Sequence, residues 1–249
     1  MKETERFTTR ANDYARARPS YPDEAIDVLF DGLGDPAALT VVDLGAGTGI
    51  SSRLLAARGA AVIAVEPNAA MREEALPAEN LTWQSGTAEN TGLAAASTDL
   101  VTAFQAFHWF DPVTALREIA RILRPGGRAA LIYNERDESD AFTAGYSEIV
   151  RRYATDETER RRSDARAAFV AFASYPAWQA VRTVEFANAQ RPNREGVHAR
   201  ARSTSYLPQE GAEAIHLHDA LDRLFEQHAV DGAVTMRLKT IVTIADRNT

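Results

Sequence analysis

Cysteine is missing from all 249 residues, which excludes disulfides, thiolate-held metals and attack through a cysteine nucleophile. A basic surplus is missing too: 28 Lys and Arg stand against 35 Asp and Glu, a formal charge of −7. Nucleic-acid-binding surfaces are normally basic, so no nucleic-acid partner is expected. No stretch reaches the ~18 apolar residues of a membrane-spanning helix. The N-terminal run MKETERFTTR carries charges where a leader would carry an apolar stretch. The expectation is a cytoplasmic protein with no membrane partner, a monomer or homodimer. Repeats and low-complexity linkers are also absent. With 45% hydrophobic residues over this length, the chain can bury one substantial core.

Strand-like and helix-like patterns alternate through the first half. Strands are expected at Val41 to Leu44, Ala61 to Glu66, Leu81 to Gln84, Asp99 to Ala106 and Arg128 to Tyr133, with helical stretches between them. That alternation predicts an α/β fold with a doubly wound, mostly parallel sheet and right-handed crossovers. A helix from Pro112 to Leu123 is well marked. Asp111 can cap it, Pro112 takes its first position, and Val113, Leu116, Ile119, Ala120 and Leu123 form one face. Residues 137–180 read as charge-rich helices, where Arg151-Arg152 and Arg160 to Arg162 interleave with acids as a solvated, ion-paired face rather than an anion site. Further on, Val181 to Ala187 reads as a sixth strand, Arg194 to Ser203 and Glu210 to His228 as helices, and Val234 to Ala245 as the last strand.

The most informative run is Val41-Val42-Asp43-Leu44-Gly45-Ala46-Gly47-Thr48-Gly49. It reads as a buried strand ending in a turn with glycine at every second position. Such a turn lets backbone and the next helix's N-terminus come close to a ligand. Glu66 follows Gly49 by 17 residues, at the end of the second strand, where an acid can accept from both hydroxyls of a ribose. A dinucleotide fingerprint would read GxGxxG, but here Ile50 follows Gly49 and the third glycine is one place early. Asp43 would repel a pyrophosphate, yet it can hold the cationic amino group of an amino-acid-bearing nucleoside, directly or through water. The pattern favours S-adenosylmethionine over NAD.

Further segments carry a family resemblance. Glu66-Pro67-Asn68-Ala69-Ala70-Met71, Gly86-Thr87-Ala88-Glu89, Asp99 to Phe110 and Leu123-Arg124-Pro125-Gly126-Gly127 follow the glycine loop in order. With it, they resemble the class I S-adenosylmethionine-dependent methyltransferases. The resemblance implies a Rossmann-like fold with seven strands, the last one antiparallel between the fifth and sixth, and a helical cap. It also implies that Met71 lies against the adenine, that Ala88 and Glu89 meet the adenine edge, and that Leu123 to Gly127 turn from the fourth helix into the fifth strand. The cofactor set so implied is Arg18, Asp43, Gly45, Ala46, Gly47, Thr48, Gly49, Glu66, Pro67, Met71, Thr87, Ala88, Glu89, Gln105 and Ala106. Phe7, Tyr14, Arg18 to Pro22, Gln105 to Asp111, Ser203 to Tyr206 and the last strand resemble the small-molecule branch that includes trans-aconitate methyltransferases and the type 11 group. That branch methylates carboxylates, phenols, amines and other groups, so the acceptor stays open.

The resemblance implies one domain over 1–249. Residues 1–35 would be a lid, 36–136 the cofactor core, 137–180 and 189–230 helical cap insertions, and 181–188 and 234–245 the final strands. His108 is the candidate catalytic residue, either a base or donor to the acceptor, or a structural residue bonded to a backbone carbonyl. Trp109 and Phe110 either line the site, facing the sulfonium, or pack the turn, and packing is favoured for Phe110. Arg18 either reaches the methionine carboxylate or an acidic substrate, or caps a helix. Candidate acceptor contacts are Tyr14, Tyr21, Trp109, Asn134, Glu135, Arg202, Ser205 and Tyr206. The histidines at 198, 216, 218 and 228 show no pair with a supporting carboxylate, so no metal is expected. The expected activity is methyl transfer to a small organic acceptor, at oxygen. The alternatives are an N-, S- or C-methyltransferase of a natural product, a nucleic-acid or protein methyltransferase, and an inactive cofactor-binding interaction protein.

Overall fold

The computed structural model describes residues 19–154, 167–204 and 206–249. Its seven strands are β1 (Thr40–Leu44), β2 (Ala61–Val65), β3 (Leu81–Gln84), β4 (Thr98–Phe104), β5 (Leu123–Arg136), β6 (Trp178–Gln190) and β7 (Met236–Arg247). They lie in the order β3-β2-β1-β4-β5-β7-β6. The first five are mutually parallel, and β7 enters antiparallel between β5 and β6. The order reverses between β1 and β4, so a crevice opens beyond their carboxyl ends, where such sheets receive ligands.

Alternation along the central strands feeds two core layers. Val41, Leu100 and Phe104 face one side with Ile26, Leu29 and Leu55, while Val42, Leu44, Val101 and Ala103 face the other with Leu116 and Ile119. Burial on both faces explains the near-continuous apolar runs. Helices α1 (Asp23–Asp27), α2 (Ile50–Ala56), α3 (Ala69–Glu73) and α4 (Pro112–Ile122) flank this part of the sheet. Asp111 caps α4, its side chain accepting from Thr114 N at 2.8 Å. The buried stripe of α4 differs from expectation: Ala115, Leu116, Ile119 and Ile122 are covered, and Val113 is 62% exposed. The stripe is centred on 115, 119 and 122, which turns the first-turn Val113 outward.

Other boundaries also move. Leu123 already pairs with Thr98 before a register shift, so the segment Leu123 to Gly127, expected as a turn, starts β5 as an irregular extension. It is held there by an Arg124–Asp99 ion pair. β6 is longer than expected and β7 is displaced by two residues at the same length, because polar residues at the strand ends still pair in the sheet; Asn188 to Gln190 pair with Leu238 to Met236. β6 is one of the two edge strands and alternates exposed with half-buried residues over most of its length. Helices α5 (Ala141–Tyr153), α6 (Arg194–Arg202) and α7 (Gly211–His228) build a third cluster around Tyr146, Leu217 and Leu221, seated on Met236 and Leu238 of β7. Among the described residues, no helix is long and apolar enough to cross a membrane.

Candidate cofactor and acceptor site

The loop from Gly45 to Gly49 is tied to the end of β2. Gly45 N and Ala46 N both donate to Val65 O, at 2.9 and 3.2 Å, and Gly49 N closes the turn onto Ala46 O at 2.9 Å. Gly45 and Gly49 take φ of +65° and +77° under crowding side chains: a Cβ on Gly45 would meet Ala106 Cβ at 2.8 Å, and one on Gly49 the Trp83 ring at 2.7 Å. Glu66 closes the floor, its Oε2 accepting from Gly47 N and its Oε1 from Asn68 N, each at 2.9 Å. Burial pushes the Glu66 carboxyl above its ordinary pKa, against the pull of these two backbone donors.

Beyond the loop lies an open cleft of about 240 Å³. Gly45, Gly47, Glu66 and Pro67 line one side, Met71, Thr87, Ala88 and Glu89 another, and Gln105, Ala106, Trp109 and Phe110 the third. A smaller hollow of about 40 Å³ continues it on the far side of the loop, past Ala46, Thr48 and Ser51 to Tyr21, Gln105 and Asn134. Thr48 Oγ1 is buried there with no hydrogen-bond partner, a hydroxyl that calls for a polar ligand atom. A carboxylate on the floor, an apolar slot at Met71 and Ala88, and an orphaned hydroxyl at the other end suit a nucleoside with a polar tail.

Asp43 stands elsewhere than expected for a direct contact. It is fully buried behind the loop and absent from the lining of both hollows. Its Oδ2 accepts from Ser51 Oγ and Ser52 Oγ, each at 2.7 Å, and its Oδ1 from Thr102 Oγ1 at 3.0 Å. The carboxylate thus pins the first turn of α2 to β1 and β4. Burial raises its pKa to about 6, the three hydroxyls pull it down, and the Glu66 charge adds to the rise. Ser51, Ser52 and Thr102, together with Asn68, Phe104 and the Trp83 ring behind Gly49, were not singled out from sequence. A serine pair one turn into a helix facing an acid in the preceding strand is the signal that would have found two of them.

On the acceptor side, Gln105 has φ of +53° and donates from its side chain to Asn134 O at 3.0 Å. Asn134 is itself held: Nδ2 donates to Ser20 O at 3.2 Å, and Oδ1 accepts from Thr240 Oγ1 at 2.5 Å and from Asn188 Nδ2 at 3.1 Å. Tyr21 meets Phe104 edge-on with ring centres 4.8 Å apart. Phe110 does both things foreseen as alternatives, packing on the core beside Phe107 and lining the cleft. His108 occupies a turn, Phe107–Trp109, and packs between Trp109 and Tyr133; its backbone N donates to Tyr133 Oη at 3.2 Å.

Several candidates lie away from the cleft. Glu135 is exposed, because strand alternation turns it opposite to Asn134. Arg202 pairs with Glu195 at 2.5 Å on α6, and Tyr206 packs on the third cluster. Phe7, Tyr14, Arg18, Arg160 to Arg162 and Ser205 fall outside the described residues. The histidine reading is corrected as well: His198 Nε2 lies 2.9 Å from Asp222 Oδ1, and its Nδ1 2.6 Å from His218 Nδ1. His218 and Asp222 are four apart and so share one face of α7. Among the described residues, no group of three or more acids and histidines is placed to hold a metal.

Residues 42–131 match the family model described as a methyltransferase domain. An uncharacterized methyltransferase of Mycobacterium tuberculosis is 44% identical over 149 residues, 59% of either chain. Another, from Schizosaccharomyces pombe, is 36% identical over 148 residues, 58% of either chain. The matched segment thus spans about three fifths of the length of these curated relatives. A solved structure from Anaeromyxobacter dehalogenans, described as a candidate type II methyltransferase, superposes with TM-score 0.60 at 23% identity, covering 93% of this chain and 97% of the other. That likeness extends the shared fold to nearly the whole chain.

Proposed function

We propose that this chain, whose residues 42–131 match a methyltransferase domain, is a class I methyltransferase of one domain with a helical cap that takes S-adenosylmethionine and transfers its sulfonium methyl to an oxygen of a small organic acceptor. The observation that carries the reading is the cleft beside Gly45 to Gly49, with the Glu66 carboxylate at its floor and the orphaned Thr48 hydroxyl at its far end. Each Glu66 oxygen accepts one backbone N–H and keeps a lone pair for a ribose hydroxyl. Met71 and Ala88 wall the adenine slot. Thr48 and the loop backbone receive the amino-acid end, and Asp43 acts on it only by holding the loop in place.

When bound, the cofactor supplies an activated methyl cation equivalent that needs no acid to leave. The chain's task is then to hold the acceptor in line, an effect worth up to ~7–11 kcal/mol in well-oriented reactions. Gln105, Asn134 and Tyr21 form the fixed wall on that side, and Trp109 and Phe110 exclude water. The titratable side chains lining the two hollows, among the described residues, are Glu66, Glu89 and Tyr21. Among the described residues no lysine, arginine or histidine lines them; a carboxylate acceptor would need no base. A screen of small acids, phenols and amines with tritiated S-adenosylmethionine tests the proposal. Label is expected in an oxygen-methylated product; transfer only to nitrogen, sulfur or carbon would refute the oxygen assignment.

A further inference from the structure

Residues 19–22, which lead into α1, form part of the smaller hollow: Pro19 and Tyr21 line it together with Thr48, Gln105 and Asn134. Among the described residues, no backbone-to-backbone hydrogen bond ties Pro19, Ser20 or Tyr21 to the sheet. Two side chains hold the segment instead. Ser20 O accepts from Asn134 Nδ2 at 3.2 Å and from Asn188 Nδ2 at 2.9 Å, one amide standing on β5 and the other on the edge strand β6.

A third residue locks these amides. Thr240, fully buried on β7 between them, donates from Oγ1 to Asn134 Oδ1 at 2.5 Å, and Asn188 Nδ2 gives the same oxygen a second donor at 3.1 Å. Asn188 Oδ1 accepts from Ala189 N at 2.8 Å. An amide oxygen has two lone pairs, so two donors fill Ser20 O and two fill Asn134 Oδ1. The network also fixes which way Asn134 is turned. Flipped, its oxygen would face Ser20 O and its N–H groups would face Asn188 Nδ2.

Asn188 and Thr240 line neither hollow. Their hold passes through Asn134 in two directions, from its side chain to Ser20 O and from its main-chain oxygen to Gln105 Nε2 at 3.0 Å. Tyr21, directly after the held carbonyl, meets Phe104 edge-on. We propose that Asn188 and Thr240 are positioning residues for the amino-acid end of the cofactor: through Asn134 and the Ser20 carbonyl they hold Pro19 and Tyr21 at the hollow that contains the orphaned Thr48 hydroxyl. The inference rests on the cofactor placement given above. None of Ser20, Asn134, Asn188 and Thr240 lines the larger cleft, where Glu66, Met71 and Ala88 receive the nucleoside. The network therefore acts on the tail and not on the adenosine.

Two ligands separate these ends. S-adenosylhomocysteine carries the amino-acid tail, whereas 5′-methylthioadenosine keeps the adenosine and the thioether sulfur without it. Both are titrated calorimetrically into the wild type, Asn188→Ala and Thr240→Val. Affinity for S-adenosylhomocysteine is expected to fall about threefold to tenfold in the variants, the range of one net hydrogen bond, with 5′-methylthioadenosine held within about twofold of the wild type. A merely structural role would weaken both ligands. Absence of the split from both variants, whether both ligands weaken alike or neither does, overturns the inference. Equal wild-type affinity for the two ligands also overturns it, since the tail then makes no contact, and leaves the nucleoside placement standing. Binding of neither ligand by the wild type overturns the inference together with the cofactor reading beneath it.

Discussion

A methyl group added at Gly47 and one added at Gly45 should have opposite consequences, although the two residues are neighbours in one turn with nearly the same backbone. Both hold left-handed φ, +59° and +65°, so alanine at either position costs about 1–2 kcal/mol of stability. At Gly45 a second cost applies. The new Cβ would sit 2.8 Å from Ala106 Cβ and 3.2 Å from the Phe110 ring, and Ala106 has no flexible side chain to swing aside. Overpacking of this kind costs about 1–3 kcal/mol, so Gly45→Ala should lose about 2–5 kcal/mol in all. At Gly47 no atom lies within 4 Å of the added Cβ, and the residue lines both hollows. Gly47→Ala should therefore keep most of its stability and lose cofactor affinity, by at least about tenfold, or about 1.4 kcal/mol. Denaturant unfolding gives the first quantity and calorimetric titration of S-adenosylmethionine the second. Wild-type affinity in Gly47→Ala, or a Gly45→Ala protein no less stable than Gly47→Ala, would refute the placement of the loop against its ligand.

Two predictions concern pH. Asp43 has a folded pKa of about 6 against an ordinary 3.8, so its contribution to stability is full below about 3.8 and is lost as pH rises through about 6. Compared with Asp43→Asn, the wild type should lose on the order of 3 kcal/mol of stability across that window; parallel stability profiles for the two proteins would contradict the buried position. His218 is held below its ordinary pKa by burial and by the His198 charge, so the folded state favours the neutral ring. The unfolded chain takes up that proton first as pH falls, and stability should drop as pH falls through the ordinary histidine range, about 6.5. His218→Asn should flatten this drop in thermal unfolding, and an unchanged slope would count against the His198–His218 contact.

The parts of this site that were legible in the sequence are those whose signal is local. The strand, the glycines at 45, 47 and 49, the acid at 66 and Met71 lie within 30 residues, in two successive strand-to-turn units, and short-range periodicity orders them. The parallel sheet follows from the same alternation, whereas the place of the last strand was expected only from the family resemblance. What was misread depends on contacts across long separations. Asp43 was expected at the ligand, because nothing near it in sequence shows that Thr102, 59 residues away, joins Ser51 and Ser52 around its oxygens. Asn134 and Glu135 were indistinguishable until strand alternation assigned them to opposite faces. Tyr133 carried no signal at all, since a tyrosine in an apolar strand reads as core. Only the fold brings its hydroxyl under His108, 25 residues upstream.

The central claim is that this cleft binds S-adenosylmethionine, and calorimetric titration of the wild-type chain with that cofactor, beside NAD, tests it most directly. Saturable binding of about one S-adenosylmethionine per chain, with no heat from NAD, is the predicted result. No detectable binding of S-adenosylmethionine at about 1 mM, where even a free energy near −4 kcal/mol would half-fill the site, would contradict it.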